Sequence, residues 1–246
     1  IDEILIDTSF FNGNQPEFAS IEGCYDNKSL KKNNWIKILN KKKLLPDKKH
    51  YFKSNSDITF NFVRLNIFPD GGVARLRLFG NIDLSKEKFP KNKFDLASVL
   101  FGSKIIACSD EHFGKAENLL SPGKSKNMGN GWETKRRRGP GFDWVILKLG
   151  RKGLISYFEI NTHFFKGNYP SHFSIQVSSS SDLSSVKKIV KESLKWQTIL
   201  KNIKLKPNNR LIVKCDFKFN QYVNLIKLNI YPDGGISRFR VFGTIK

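Results

Sequence analysis

The chain has 246 residues, with 43 Lys and Arg against 22 Asp and Glu, a formal net charge of +21, 39% hydrophobic residues and 21 Phe. That length suits two domains of ordinary size with apolar cores, and no run approaches the ~20 apolar residues of a membrane-spanning helix. The charge would suit a polyanion, but the lysines are dispersed over "NKKKLLPDKKHYFK", "KEKFPKNK" and "KKIVKESLK" and form no single stripe, so nucleic-acid binding is the weakest reading.

A first strand is expected over 4–7, and "IDTSFFNGNQPEFASI" (Ile6 to Ile21) leads into a second over 18–24. Strands follow over 60–68 and 73–80. Val63, Leu65 and Ile67 alternate there with Arg64, Asn66 and Phe68, and Ala74, Leu76 and Leu78 with Arg75, Arg77 and Phe79, the two-residue period of a half-buried strand. Pro69, Asp70, Gly71 and Gly72 suit a tight turn, so the pair reads as a β-hairpin with Leu65, Ile67, Leu76 and Leu78 facing the core. Further strands are expected over 104–108, 144–149, 154–160, 173–178, 211–217, 223–231 and 236–243. One helix is expected from Asp182 to Leu194, capped by Asp182, with Leu183, Val186, Ile189, Val190 and Leu194 at helical spacing.

Several of these stretches are written twice. "LNIFPDGGVARLRLFG" (Leu65 to Gly80) returns as "LNIYPDGGISRFRVFG" (Leu228 to Gly243), and Ile6 to Ile21 returns as "INTHFFKGNYPSHFSI" (Ile160 to Ile175). "WIKIL" at Trp35 returns as "WQTIL" at Trp196. The chain therefore carries two copies of one domain, over 1–80 and 95–246, joined by a Lys-rich linker over 81–94. The counterpart of Lys104 to Gly150 would precede Ile1, so the first copy is expected to lack roughly its first third. Alternating strands punctuated by Gly and Pro turns predict an all-β protein of two antiparallel sandwiches. Scattered Cys24, Cys108 and Cys215, odd in number, fit a reducing, cytoplasmic compartment.

The chemistry is concentrated between Lys104 and Gly150. "CSDEHFGKAENLL" sets Asp110, Glu111, His112, Glu117 and Asn118 after an apolar strand, and "GNGWETKRRRGPGFDW" flanks Trp132 and Glu133 with glycines and runs on through Arg136, Arg137 and Arg138. A glycine-hinged loop lets such side chains approach a ligand. Because successive residues of a strand alternate in direction, at most two of the arginines can face one ligand, and Trp132 and Trp144 read as packing residues rather than stacking platforms. Sequence neighbours such as Asp110, Glu111 and His112 rarely share one ion, and no HxxxH or CxxC spacing is present. No metal or other cofactor is assigned, a divalent ion being the minority reading.

These residues carry a resemblance. "SDEHFGKAENLL", "NMGNGWETKRRRGPGFDWVILKLG", "FFKGNYP" and the repeated "LNIYPDGG" resemble the allantoicase family over essentially the whole chain. The resemblance implies two tandem jelly-roll β-sandwich repeats, galactose-binding-domain-like, and hydrolysis of allantoate to ureidoglycolate and urea by a homo-oligomer. Within it, Glu133, Glu111 and His112 are the candidate acid–base groups. Arg136, Arg137 and Arg138 are candidates for the substrate carboxylate, and Glu117, Asn118, Trp132, Lys166 and Asn168 for its remaining contacts. Where the family motif reads Asp-Thr-x-His-Phe-Lys-Gly-Asn, this chain has Asn161 for the acid and His163 one position early; on a strand that shift reverses the face. Phe142 stands where relatives often carry His. A catalytically degenerate relative that binds or supports structure is therefore the alternative.

Overall fold

The computed structural model describes residues 1–25, 34–84, 89–215 and 220–245. It divides into two compact units, Ile1–Asp83 and Leu84–Lys246.

The first unit contains β1 (Glu3–Asp7), β2 (Phe18–Cys24), β3 (Ile36–Lys43), β4 (Lys49–Lys53), β5 (Phe62–Phe68) and β6 (Arg75–Phe79). They form two antiparallel three-stranded sheets, in the orders β4-β1-β6 and β3-β2-β5. Ile4, Ile6, Ala19, Ile21, Ile38, Leu39 and Leu44 make the core, with Val63, Leu65, Ile67 and Leu76 packed against it. Fully burying one such side chain contributes about 1.5–3 kcal/mol. Leu78, expected in the core, is instead 36% exposed.

The second unit holds β7 (Phe94–Asp95), β8 (Lys104–Cys108), β9 (Trp132–Glu133), β10 (Asp143–Asn161), β11 (His172–Ser178), β12 (Gln197–Lys204), β13 (Arg210–Lys214), β14 (Tyr222–Tyr231), β15 (Gly235–Ile236) and β16 (Arg238–Ile245). The long β10 organises it. Its first half, Asp143 to Lys148, pairs with β8 and β14; after a break in register, its second half pairs with β13 and β16. The strands expected over 144–149 and 154–160 are thus one bent strand serving both layers. β11 lies between β12 and β14 as β2 lies between β3 and β5, and the second half of β10 lies between β13 and β16 as β1 lies between β4 and β6. Both units therefore follow one jelly-roll plan, and the protein is all-β apart from short helical turns. The core of the second unit is larger, built on Trp132, Phe158, Phe173, Phe239 and the strand aliphatics, and closed by Ala116, Leu119 and Leu120 of a 3-10 turn.

The twice-written strand–PDGG–strand segment is not a hairpin. β5 and β6 pair with β2 and β1 in separate sheets, and β14 and β16 are separated by β10. The turn is a corner from one layer to the other. Both strands of such a corner point alternate residues into the same interior, so periodicity reads the same as for adjacent strands.

Besides the two-residue β7 and β9, the strands absent from the sequence reading are β3, β4 and β12, and these three lie at sheet edges. Their exposed lysines blunt those edges against further pairing and dilute the apolar alternation. Of the Lys-rich stretch 81–94, residues 85–88 lie outside the described residues, while Phe89 and Phe94 pack on the second core. Residues 216–217 of the strand expected over 211–217 also lie outside the described residues. The helix is shorter than expected: α1 spans Val186–Glu192, capped by the Ser185 hydroxyl, which accepts from Lys188 N, and only Ile189 in it is buried. Asp182 instead accepts from Ser184 N and Lys188 Nζ, an Asx turn ahead of the helix.

Candidate active site

Three turns of the second unit enclose a cavity of about 560 Å3. The residues after β9 contribute Glu133, Thr134, Arg136 and Arg137, the loop from β10 to β11 contributes Gly167 to Tyr169, and the corner after β14 contributes Pro232 to Gly234. Backbone hydrogen bonds hold them together: Gly235 N donates to Asn168 O at 2.7 Å, Thr134 N to Gly234 O at 3.3 Å, and β9 pairs with β15. Close approach requires glycine. A Cβ on Gly235 would lie 1.9 Å from Phe165 Cε1, and Gly234 has φ of +125° with its Cβ direction 2.6 Å from Asn168 O.

The charges are arranged in two ways. Arg137 is anchored, its backbone N–H donating to Asp233 Oδ2 at 2.7 Å and its Nη2 to Asp143 Oδ1 at 2.5 Å. Asp143 is buried and also accepts from Ser109 Oγ at 2.9 Å, so the guanidinium is held by a charge that cannot turn away. Arg136 lines the same cavity with no carboxylate partner among the described residues. Glu133 is half-buried at the end of β9, its Oε1 taking a short hydrogen bond from Asn168 Nδ2. The cavity thus presents a positioned carboxylate, a second one on Asp233, an available guanidinium and a paired guanidinium.

Of the residues singled out from sequence, Glu133, Arg136, Arg137 and Asn168 come together on this cavity. Arg138 and Lys166 are exposed and do not line it. Trp132 is fully buried, its Nε1 donating to Asp110 O at 2.8 Å, and is a core residue. Glu111 is tied down by Lys115 Nζ at 2.6 Å and Ala116 N at 3.1 Å, contacts that hold its carboxyl below the usual carboxylate range. Exposed His112 packs edge-on against Phe113, Glu117 faces solvent on the 3-10 turn, and Asn118 Nδ2 braces Gly131 O at 2.9 Å. His163 is in a turn beyond the end of β10, so the strand-face argument does not apply to it, and it borders a different cavity. Phe142 packs against Tyr231 with ring centroids 5.0 Å apart and the rings tilted by 38°. Thr134 and Tyr169, which also line the cavity, lie in the "GNGWETKRRRGPGFDW" and "FFKGNYP" stretches that the sequence marks out, whereas Asp233 was not anticipated. Asp233 stands in plain view within the repeated "PDGG", where it reads as a turn former. Among the described residues no group of three His, Cys, Asp or Glu could hold a metal ion, and no helix is long and apolar enough to cross a membrane.

The allantoicase-repeat family pattern matches residues 1–83 and 94–246. The chain belongs to the allantoicase family. A probable allantoicase of Acinetobacter baumannii is 42% identical over 246 residues, covering 100% of this chain and 73% of the relative. One of Photobacterium profundum is 44% identical, covering 97% of this chain and 73% of its own length. The crystal structure of the Saccharomyces cerevisiae allantoicase superposes with a TM-score of 0.79 at 33% identity, covering 99% of this chain and 73% of that one. The tandem-repeat match covers both units, as the doubled allantoicase motifs require, and the second match takes in every residue lining the cavity.

Proposed function

We propose that the chain hydrolyses allantoate to ureidoglycolate and urea in the cavity between Glu133, Arg136 and Asp233. Allantoate carries a carboxylate and two ureido groups on one carbon. Arg136 suits the carboxylate, since a guanidinium fork matches two carboxylate oxygens and this one has no competing internal acid. Asn168, Tyr169 and Asp233 offer polar partners for the ureido groups. In the reaction a water oxygen bonds to the central carbon, the bond to one ureido nitrogen breaks, and that nitrogen leaves as urea after gaining a proton. Glu133, aimed by Asn168, takes the proton from water and returns it to the leaving nitrogen, so the step balances with one carboxylate.

The observation that carries the reading is the meeting of Glu133 and unpaired Arg136 on one cavity of an allantoicase-family chain. Urea release from allantoate tests it. Glu133→Gln should lower kcat at least a hundredfold with KM little changed, and Arg136→Ala should raise KM at least tenfold. Full activity in Glu133→Gln would remove Glu133 from the chemistry. An inactive parent protein would return the degenerate-relative reading. Side chains alone carry the proton and the charge in this scheme, so dialysis against a chelator should leave the rate unchanged. A homo-oligomer belongs to the same proposal, supported by exposed Phe62, Phe68 and Phe79 on the first unit, and light scattering measures it. The unbridged thiols of Cys108 and Cys215 support a reducing, cytoplasmic setting.

A further inference from the structure

A second cavity, of about 330 Å3, opens on the sheet formed by β13, the second half of β10 and β16, and no residue lines both cavities. Lys124, Arg210, Arg238 and Arg240 border it against a single carboxylate, Glu159. That carboxylate is already engaged, accepting from Arg210 Nη2 at 2.6 Å and Asn161 Nδ2 at 2.8 Å. Arg238 is 6% exposed, and every hydrogen bond it makes goes to a backbone carbonyl: Nε to Gly123 at 3.1 Å, Nη1 to Asn130 and to Ser237, each at 2.6 Å. Arg240 Nη2 likewise reaches Ser121 O at 2.5 Å, whereas its Nη1 is buried with no hydrogen bond among the described residues, 3.5 Å from Asp95 Oδ2. Asn161 is also 6% exposed, and its Oδ1 is buried and unpaired among the described residues. Buried donors, acceptors and cations of this kind ordinarily have partners.

The first repeat shows what is absent here. Asp7 holds the place of Asn161 in the repeated motif and stands opposite Arg75 in the β1–β6 register, just as Asn161 stands opposite Arg238 in the β10–β16 register. Hydrogen bonds from Ser9, with Lys49 and Arg75 adding attraction, hold the Asp7 carboxyl below its usual range. The second repeat keeps the arginine and replaces the acid by an amide, removing an internal counter-charge from an already cationic pocket.

We propose that this cavity is a second anion site, for a small carboxylate that also carries a hydroxyl or N–H donor. The ligand's carboxylate takes the place of the one Asp7 supplies in the first repeat, meeting Arg240 Nη1 and Arg210, and its donor satisfies Asn161 Oδ1. An anion without a donor leaves that oxygen unpaired and binds more weakly. The inference does not depend on the catalytic reading of the first cavity.

Calorimetric titration of the whole protein with glycolate and with acetate, which keeps the carboxylate and lacks the hydroxyl donor, tests it, beside Arg136→Ala, Arg210→Ala and Asn161→Asp. Glycolate should bind the parent and Arg136→Ala alike, and at least tenfold more weakly to Arg210→Ala and Asn161→Asp. Acetate should bind the parent at least tenfold more weakly than glycolate. Urea release by Arg210→Ala should stay at the parental rate, which separates this site from the first. Absence of glycolate binding, its loss only in Arg136→Ala, or equal binding of acetate would each overturn the proposal. If melting shows that Asn161→Asp does not fold, Lys124→Ala, on an exposed loop, replaces it, with weakened binding expected and parental binding counting against the site.

Discussion

Gly235→Ala and Gly72→Ala make the same change at matching places in the two repeats, yet they should differ sharply in cost. An added Cβ would lie 1.9 Å from Phe165 Cε1 at Gly235 and 1.8 Å from Phe11 Cε1 at Gly72. Carbon atoms in contact prefer about 3.5–4.0 Å, so in either repeat the ring must move by roughly 2 Å. Phe165 is completely buried and has no vacant volume to enter, whereas Phe11 is partly exposed and can swing toward water. Overpacking costs about 1–3 kcal/mol, so Gly235→Ala should lie at about 3 kcal/mol and Gly72→Ala at about 1. Urea unfolding followed by tryptophan fluorescence measures both, with Trp35 in the first unit and Trp132, Trp144 and Trp196 in the second. At a slope of about 2–3 kcal/mol per molar, Gly235→Ala should move its unit's midpoint by about 1 M. Phe165→Leu should recover ~1 kcal/mol or more of that loss in the double variant. Gly235 pairs with Glu133 and donates to Asn168 O, so urea release should fall in the same variant. Equal costs in the two repeats, or no recovery by Phe165→Leu, would refute the argument from ring confinement.

Asp143→Asn removes the charge that fixes partly exposed Arg137 while keeping the shape, and should lower kcat/KM at least tenfold with a stability loss of about 1–3 kcal/mol, both read from urea release and denaturant melts. Burial pushes up the carboxyl of Glu159, but hydrogen bonds from Arg210 and Asn161 outweigh it and hold the group below its usual 4.5. The resulting stability is present above that value and is lost as pH falls through the lower, folded one, so Arg210→Ala should move the acid-unfolding midpoint to higher pH. Burial pushes the thiols of Cys108 and Cys215 up to about 11, helped at Cys108 by Glu111, Glu117 and Asp110, so native protein at pH 8 should label at both far more slowly with iodoacetamide than a free thiol does, as mass spectrometry would show.

The sequence by itself determined the doubling, the β class and the chemical neighbourhood. Repetition survives in the residues whose local geometry admits few substitutes, the "PDGG" corner and the "FFxGN" turn, so it can be read without coordinates. The placement of Glu133, Arg136, Arg137 and Asn168 was legible because glycine-flanked polar loops beside apolar strands seldom serve packing alone. The tertiary structure decided the rest. It separated Glu111, which ties down a turn, from Glu133, which faces the cavity, although both are carboxylates in polar loops. It turned an apparent hairpin into a corner between layers, because strands sharing one interior carry the same alternation whether adjacent or opposed. It brought Asp233 to Arg137 N and left Asn161 Oδ1 without a partner. Such pairings join residues far apart in the chain, and a local pattern holds no record of which distant group a side chain meets.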